Sequence, residues 1–168
     1  MAPHVSECPE LVRRELRIDM NQTPAGSLEA IWIKRFRRGP MDPVSAAAAR
    51  KGQGLENNAN QGGKRQVTVI STEAMEKAQA DLGRSFDPVA RRANLMIAGL
   101  NLEHAAGRVL RVGELQIEVY GETRPCERMD EAVPGLRRAL EPEWRGGVYG
   151  VVLNDATIRV GDPVEWAS

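Results

Sequence analysis

Residues 109–120 read VLRVGELQIEVY and carry the clearest strand pattern in the chain. From residue 115 to residue 120, apolar and polar side chains alternate, as they do in a strand that buries one face. Gly113 and Glu114 stand between the two apolar runs, and glycine suits the first position of a tight hairpin turn. The stretch therefore predicts a β-hairpin of residues 109–112 and 115–120.

Short apolar runs on both sides of this hairpin extend the strand pattern over most of the chain. Runs of this length bounded by turn residues are typical of strands, and they lie at residues 28–34, 67–70, 94–98, 147–153, 157–160 and 163–166. A helix is predicted after residue 70, because Ser71 or Thr72 can cap its start and Gly83 can end it. A short helix is also predicted at Pro134–Leu140. Many short strands with few helices predict a mostly β, α+β domain of β-barrel-like architecture.

The first 26 residues differ from the rest of the chain, since they hold three prolines and no sustained apolar face. We therefore predict an N-terminal tail at residues 1–26, flexible unless it docks on the body, and one domain at residues 27–168. A length of 168 residues is ordinary for a single domain.

The charge composition argues against nucleic acids and membranes as the main partners. Lys and Arg number 23, Asp and Glu also number 23, and the formal net charge is zero. Such a chain has no overall field that would draw it onto a polyanion. No stretch approaches the ~18 consecutive apolar residues of a membrane span, and the charged N-terminus lacks the apolar region of a secretory signal. A cytoplasmic protein is expected.

Cysteines and histidines are scarce, which restricts the metal chemistry that the side chains can supply. Cys8 and Cys126 are the two cysteines, and His4 and His104 are the two histidines. This number is too small for a disulfide framework or a structural zinc site. A metal centre built from protein ligands alone is therefore not expected.

Cys126 is the strongest candidate for a functional side chain. It follows Pro125 shortly after a predicted strand and lies between Arg124 and Arg128. A structural cysteine usually lies within an apolar run, whereas nearby arginines stabilise the thiolate that attacks sulfur or binds a soft metal. An incidental surface cysteine is the alternative that the local sequence leaves open. A nucleophilic pair of Cys126 with His104 is a weaker hypothesis, because no third residue is in view to orient the histidine.

Three basic pairs are candidates for binding an anion, since arginine matches phosphate and carboxylate and exposed glycine backbone adds donors. The pairs are Lys34-Arg35, Lys64-Arg65 beside Gly62-Gly63, and Arg91-Arg92. Asn94 follows the third pair and places an amide at the start of a predicted strand. Each pair taken alone is equally compatible with an ordinary solvated surface.

Taken in order, a set of segments resembles the MOSC domain, the family named for the C-terminal domain of molybdenum cofactor sulfurase. The resemblance covers about residues 27–166, and no single segment is specific without the others. The segments are Leu28–Lys34, Gly54-Leu55-Glu56, Gly63–Ser71, Asp87-Pro88 with Arg91–Leu95, Gly99–Leu102, Gly107–Glu114, Arg124-Pro125-Cys126, Arg145–Tyr149 and Ile158–Val164.

The resemblance implies a β-barrel-rich fold and a role in molybdenum-cofactor or sulfur chemistry. In this family, the cysteine that matches Cys126 is thought to carry sulfur as a persulfide or to ligate molybdenum. Arg92 and Asn94 match an Arg-x-Asn motif that holds the pterin and phosphate of the cofactor (molybdopterin). Ser71 lies in a comparable strand-to-helix turn, and Lys34 follows the first strand, where relatives carry a basic residue.

One segment departs from the family pattern. Many members continue Gly-Leu-Glu with Gly-Asp-Arg or Gly-Asp-Lys, whereas here Gly54-Leu55-Glu56 precedes Asn57-Asn58-Ala59-Asn60. Loss of an arginine that faces a phosphate removes ~1.5–3 kcal/mol of charged hydrogen bonding. Lys64 and Arg65 are the candidates to compensate for it.

The resemblance leaves two roles open. As a molybdenum enzyme, the protein would reduce N-hydroxylated compounds with electrons from a separate electron-transfer protein. As a sulfur carrier, it would be loaded on Cys126 by a pyridoxal-phosphate-dependent cysteine desulfurase. A non-catalytic interaction module with a decayed cofactor pocket is the alternative that the Asn57-Asn58 departure supports.

Overall fold

A computed structural model of the protein describes residues 26–168. The predicted tail lies outside the described residues apart from Gly26, which begins the first strand. Within this part of the chain, no helix is both long enough and apolar enough to cross a membrane.

The described residues form eleven strands and three α-helices. The strands are β1 (Gly26–Lys34), β2 (Met41–Val44), β3 (Ala46–Arg50), β4 (Gly54–Leu55), β5 (Val67–Ser71), β6 (Leu95–Ala98), β7 (Val109–Val112), β8 (Leu115–Glu122), β9 (Val148–Val152), β10 (Ala156–Arg159) and β11 (Pro163–Trp166). The helices are α1 (Thr72–Leu82), α2 (Glu127–Ala132) and α3 (Leu136–Leu140).

Seven of the strands close into a barrel. They pair in the order β11-β7-β8-β9-β5-β6-β1, and β1 returns to pair with β11. All neighbours in this ring are antiparallel except β5 and β6, which run parallel and are joined through α1. The strand β2 pairs with β1 outside the ring, and β10, β3 and β4 form a second small sheet. The predicted mostly β, barrel-like α+β fold is confirmed.

Two apolar clusters hold the barrel and its helices together. The larger cluster fills the barrel and includes Ile31 and Ile33 of β1. The smaller cluster packs the helices against the outer wall and includes Trp32, Met75 and Leu136. The strand β1 is buried on both faces, because its odd-numbered isoleucines enter one cluster while Trp32 enters the other.

Local sequence signals predict several elements correctly. The hairpin of β7 and β8 forms with Gly113 at positive φ in its turn. Helix α1 begins where expected, since the Ser71 hydroxyl accepts a hydrogen bond from the backbone N–H of Ala74, and Gly83 ends it in the left-handed conformation.

Four elements are absent from the sequence prediction, namely β2, β3, β4 and α2. The strands β2 and β3 form because β1 pairs with β2 and β10 pairs with β3. Residues 46–49 are all alanine, a poor strand former, so only this tertiary pairing specifies a strand there. Helix α2 begins at Glu127 with Cys126 as its N-cap residue, but the Cys126 side chain makes no capping hydrogen bond.

Candidate functional site

A cavity of about 230 Å³ opens where the ends of several strands converge. Its walls come from the end of β1, the start of β2, the turn after β4, β5 itself and the segments that precede β5 and β6. We call it the cationic cavity, because three of its lining side chains are basic and none is acidic. The lining residues are Lys34, Met41, Asn58, Asn60, Arg65, Thr68, Arg92 and Asn94.

Asn94 is fixed at the base of this cavity by a network of buried hydrogen bonds. Its side-chain oxygen accepts from the backbone N–H and the hydroxyl of Thr68, both at 3.2 Å. Its side-chain amide donates to the carbonyl of Trp32 and to the Oδ1 of Asn58, both at 3.1 Å. The amide therefore has a fixed orientation before any ligand arrives.

Asn58 joins this network at the position where the sequence departs from the family pattern. Its Oδ1 accepts from the backbone N–H of Lys34 at 3.0 Å as well as from Asn94. Asparagine has the shape of aspartate, so the acceptor is present without the negative charge. Asn57, just before it, has φ 67°, a left-handed conformation that asparagine tolerates better than most residues. The departure thus preserves the turn and the hydrogen-bond acceptor, while it removes one acidic and one basic side chain together.

The basic groups of the cavity repel one another. Burial lowers the pKa of Lys34, and the charges of Arg92, Arg65, Arg128 and Arg37 lower it further. No salt bridge among the described residues involves Lys34, Arg65 or Arg92. Clustered positive charge without a protein counter-ion is the electrostatic signature of an anion site.

Arg92 lies in the cavity wall with an uncommon backbone conformation. It has φ 60° at the end of the short 3₁₀ turn Pro88–Arg91. Its Nη2 donates to the carbonyl of Gly39 at 2.6 Å. A left-handed conformation in a bulky residue costs of order 1–3 kcal/mol and is concentrated at functional sites. Burial lowers the pKa of Arg92, as does Arg128, while Cys126 acts in the opposite direction.

The neighbouring Arg91 has a different role. Its side chain is buried, and it donates to the carbonyls of Gly146 at 2.8 Å and Thr123 at 3.3 Å. Burial lowers the pKa of Arg91 to about 10, Arg65 adds to this effect, and Cys126 opposes it. Arg91 therefore anchors the segment that leads to Cys126. Of the two adjacent arginines, Arg91 supports the structure and Arg92 lines the cavity.

Cys126 is an exposed, free thiol. It follows Pro125 at the start of α2, and it lies close enough to Arg91 and Arg92 to influence the pKa of both guanidinium groups, so it is within electrostatic reach of the cationic cavity. It also lines a shallow depression of mixed charge with Glu127, Arg128, Glu131 and Arg137. Cys126 therefore lies within electrostatic reach of the cationic cavity without lining it.

The predicted site residues divide into two groups. Lys34, Arg65, Arg92 and Asn94 line one cavity, and Cys126 lies within electrostatic reach of it. Ser71 caps α1 and instead lines a second cavity of about 350 Å³ with Trp144 and Arg145. Lys64 is exposed, with its ammonium 6.0 Å from the ring centroid of Tyr120.

Sequence reasoning did not propose Asn58, Asn60, Thr68 or Met41 for this site. Thr68 had a recognisable signal, since it is the one polar residue in the buried apolar run 67–70. Asn58 was interpreted only as a loss, because a hydrogen bond to a backbone N–H 24 residues away has no local signature.

His104 is exposed and packs edge-on against Trp144, with 5.3 Å between ring centroids. It lies beside Glu103 and Trp144, which line the second cavity rather than the cationic one. The described residues include no cluster of three His, Cys, Asp or Glu side chains that could hold a metal ion.

Comparison with known protein families finds a match to one of them. The family model for the MOSC domain matches residues 56–165. None of the curated proteins compared with the chain matches it in sequence.

Solved structures give the same fold. YuaD from Bacillus subtilis superposes with a TM-score of 0.74 at 17% identity, over 84% of this chain and 95% of YuaD. YiiM from Geobacillus stearothermophilus superposes with a TM-score of 0.68 at 19% identity, over 85% of this chain and 75% of that protein. YiiM from Escherichia coli superposes with a TM-score of 0.64 at 18% identity, over 84% of this chain and 70% of that protein.

Proposed function

Because the chain belongs to the MOSC domain family, we propose that it binds a molybdopterin-type cofactor in the cationic cavity, with Cys126 as the thiolate beside the metal. The observation that carries this proposal is a set of three basic side chains that share one cavity without an acidic partner.

The donor set fits a phosphate-bearing pterin. The guanidinium groups of Arg65 and Arg92 and the ammonium of Lys34 suit the phosphate, because arginine binds it through two parallel hydrogen bonds. The fixed amide of Asn94 offers hydrogen bonding to a planar ring system. A soft thiolate such as that of Cys126 is a suitable ligand for a metal that arrives with the pterin.

Arg65 supplies the basic group that the family pattern has at position 59. Ala59 cannot bind a phosphate, whereas Arg65 reaches the cavity wall. Its guanidinium lies 5.7 Å from the ring centroid of Tyr149, a cation–π contact that favours one orientation of the side chain. This compensation supports a working pocket over a decayed interaction module.

When bound, the cofactor would supply the two-electron redox chemistry that no side chain of the protein offers. The protein's own contribution would be to hold the phosphate with Lys34, Arg65 and Arg92. The fixed amide of Asn94 would orient the pterin ring. Cys126 is exposed, so a substrate and a separate electron-transfer protein would have access to it. Reduction of N-hydroxylated compounds is the reaction that we assign to this arrangement.

Sulfur transfer is the second candidate, and the exposure of Cys126 favours it. An exposed thiolate beside Arg92 can attack the persulfide of a cysteine desulfurase and accept its outer sulfur, leaving the donor as a thiolate. The same cationic cavity would then hold the cofactor that receives the sulfur.

Co-purification tests the proposal. The protein is expressed in a host that makes molybdopterin, and its bound molybdenum and released pterin are measured beside a Cys126→Ser variant. We expect near-stoichiometric pterin in both proteins and metal only in the wild type. Pterin without metal in the wild type would favour the sulfur carrier, and a folded protein with neither would refute cofactor binding.

Two adjacent basic residues provide a matched control. Arg65 lines the cavity and Lys64 does not, so Arg65→Ala is expected to lower the pterin content about tenfold or more while Lys64→Ala leaves it unchanged. Equal losses in the two variants would show that general surface charge, and not the cavity, retains the cofactor.

A further inference from the structure

The loop between β1 and β2 is strongly basic and carries the most exposed aromatic side chain of the described residues. Arg35, Phe36, Arg37 and Arg38 follow one another and are all exposed. Phe36 is 62% exposed, compared with 43% for Tyr120. An exposed phenylalanine flanked by arginines combines the two residue types that are enriched at protein interfaces.

The cations of this loop extend the positive charge of the cationic cavity. Only Arg35 has a carboxylate partner, Asp42 at 3.0 Å. Within the described residues, Arg37, Arg38 and Arg128 form no salt bridge. Arg37 and Arg128 both lie close enough to Lys34 to lower its pKa. The whole chain has a net charge of zero, so this face is positive because of where its charged residues lie and not because the protein has an excess of basic residues.

Hydrogen bonds and packing at Gly39 also connect the loop to the cavity. The backbone N–H of Gly39 donates to the carbonyl of Phe36 at 2.9 Å, which closes the turn. The carbonyl of Gly39 accepts from the guanidinium of Arg92. A Cβ at position 39 would lie 2.9 Å from the Phe36 ring, so the ring packs directly on the glycine. One short turn thus positions both the exposed ring and a cavity arginine.

We propose that Phe36, Arg37 and Arg38, together with Arg128, form the docking surface for an acidic electron-transfer protein. Carboxylates of that partner would face the arginines, and an apolar spot beside its redox group would receive Phe36. Arginine and aromatic side chains carry a large share of the binding energy at protein interfaces. Opposite charges on the two surfaces also speed the encounter.

This inference rests on the proposed function, in which a bound metal exchanges electrons with a donor. At each encounter the donor would lose one electron, which the bound cofactor would accept, and no bond would form between the proteins. Lys34, Arg65 and Arg92 line a cavity of about 230 Å³, and the loop arginines lie next to this cavity. That arrangement favours a compact protein surface over a nucleic-acid strand, whose backbone needs a track of positive charge.

A reduced plant-type [2Fe–2S] ferredoxin is the probe, because it is a small acidic one-electron carrier. Its affinity for the full chain is measured by calorimetry at low and high salt, and its oxidation by the cofactor-loaded protein is followed by its absorbance. We expect Arg37→Glu with Arg38→Glu to weaken binding about tenfold or more at low salt, and Phe36→Ala to weaken it several-fold at both salt concentrations.

The matched control reverses two exposed charges elsewhere, in Lys51→Glu with Arg159→Glu, since neither residue contributes to the charge felt by Lys34. This variant has the same net charge as the loop variant and is expected to bind ferredoxin within about twofold of the wild type. Equal weakening in both variants would overturn the proposal, as would tighter binding of a single-stranded oligonucleotide that the loop variant abolishes.

Pterin content separates this inference from the proposed function. The Phe36→Ala variant, which leaves the charge around the cavity unchanged, is expected to retain its full pterin load, and loss of pterin from it would assign the loop to the cofactor site and overturn the docking surface. If the wild type holds no pterin but binds ferredoxin through the loop, the docking surface stands and the electron-delivery role falls.

Discussion

At the scale of single residues, Asn58 connects the departure from the family pattern with the architecture of the cavity. Its side-chain oxygen accepts hydrogen bonds from the backbone of Lys34 and from Asn94, and the residue is 4% exposed. An isosteric replacement of aspartate can keep both bonds, which is why a change that looks damaging in the sequence leaves the cavity organised.

Asn58→Leu is predicted to destabilise the protein by about 1–3 kcal/mol, because it leaves two buried donors without a partner. Urea denaturation followed by circular dichroism measures the change. Asn57→Gly is the control, since φ 67° suits glycine and the side chain is exposed. A stability loss that is no larger for Asn58→Leu than for Asn57→Gly would contradict the role given to Asn58.

Lys34 makes anion binding dependent on pH. Its protonated form binds the anion, and burial together with four arginines lowers its pKa in the free protein. The affinity of the cofactor-free protein for inorganic phosphate is therefore full at neutral pH and declines as pH rises, starting below the ordinary lysine range. Lys34→Arg keeps its charge and should retain affinity to higher pH in the same titration. Identical pH profiles for the two proteins would exclude Lys34 from the phosphate site.

At the scale of secondary structure, Ser71 has a structural role that is visible in α1. Its hydroxyl accepts from the N–H of Ala74, and the residue lies outside the cationic cavity. Ser71→Ala is predicted to cost about 1 kcal/mol of stability through loss of the cap. Thermal denaturation gives the cost, and the pterin content should stay at the wild-type level. A variant of unchanged stability that loses its pterin would instead make Ser71 a cofactor ligand.

Elements with a local signal were predictable from the sequence, and elements that depend on distant partners were not. The β7–β8 hairpin and α1 carry their own alternation, turn glycine and caps. The strand β3 is a run of alanines that becomes a strand only beside β10. Helix α2 is six residues long and has no capping side chain, so the sequence around Cys126 resembled a loop.

The candidate site was partly predictable for the same reason. Lys34, Arg65, Arg92 and Asn94 each stand at a strand end, and the sheet order brings those ends together. Sequence position alone does not distinguish Arg65 from Lys64, because the direction of a side chain at the end of a loop depends on what it packs against. Here Tyr149 holds Arg65 and Tyr120 lies beneath Lys64.

At the scale of the whole molecule, closure of the barrel depends on close approach between β8 and β9. A Cβ at Gly150 would overlap the carbonyl oxygen of Glu118, whereas one at Gly121 would make ordinary contact with the Tyr149 ring. Gly150→Ala is predicted to destabilise the fold by several kcal/mol, more than Gly121→Ala. Comparable denaturation midpoints for the two variants would show that β8 and β9 can move apart to accept the Cβ without loss of stability, which would contradict this prediction.

The molecule separates its charges although their sum is zero. Unpaired cations surround one cavity and the adjacent loop, while many of the remaining arginines have carboxylate partners, as Arg50 does with Glu56 at 2.7 Å. This polarity gives the protein one face for anions, and both the cofactor proposal and the docking proposal draw on it.

A crystal structure of the protein purified from a molybdopterin-producing host tests the central claim most directly. We predict pterin phosphate within hydrogen-bond distance of Arg65 and Arg92, the pterin against Asn94, and the metal on the side of Cys126. A cofactor bound instead in the second cavity beside Trp144, or a cationic cavity that holds only water in a protein that carries pterin, would contradict the account.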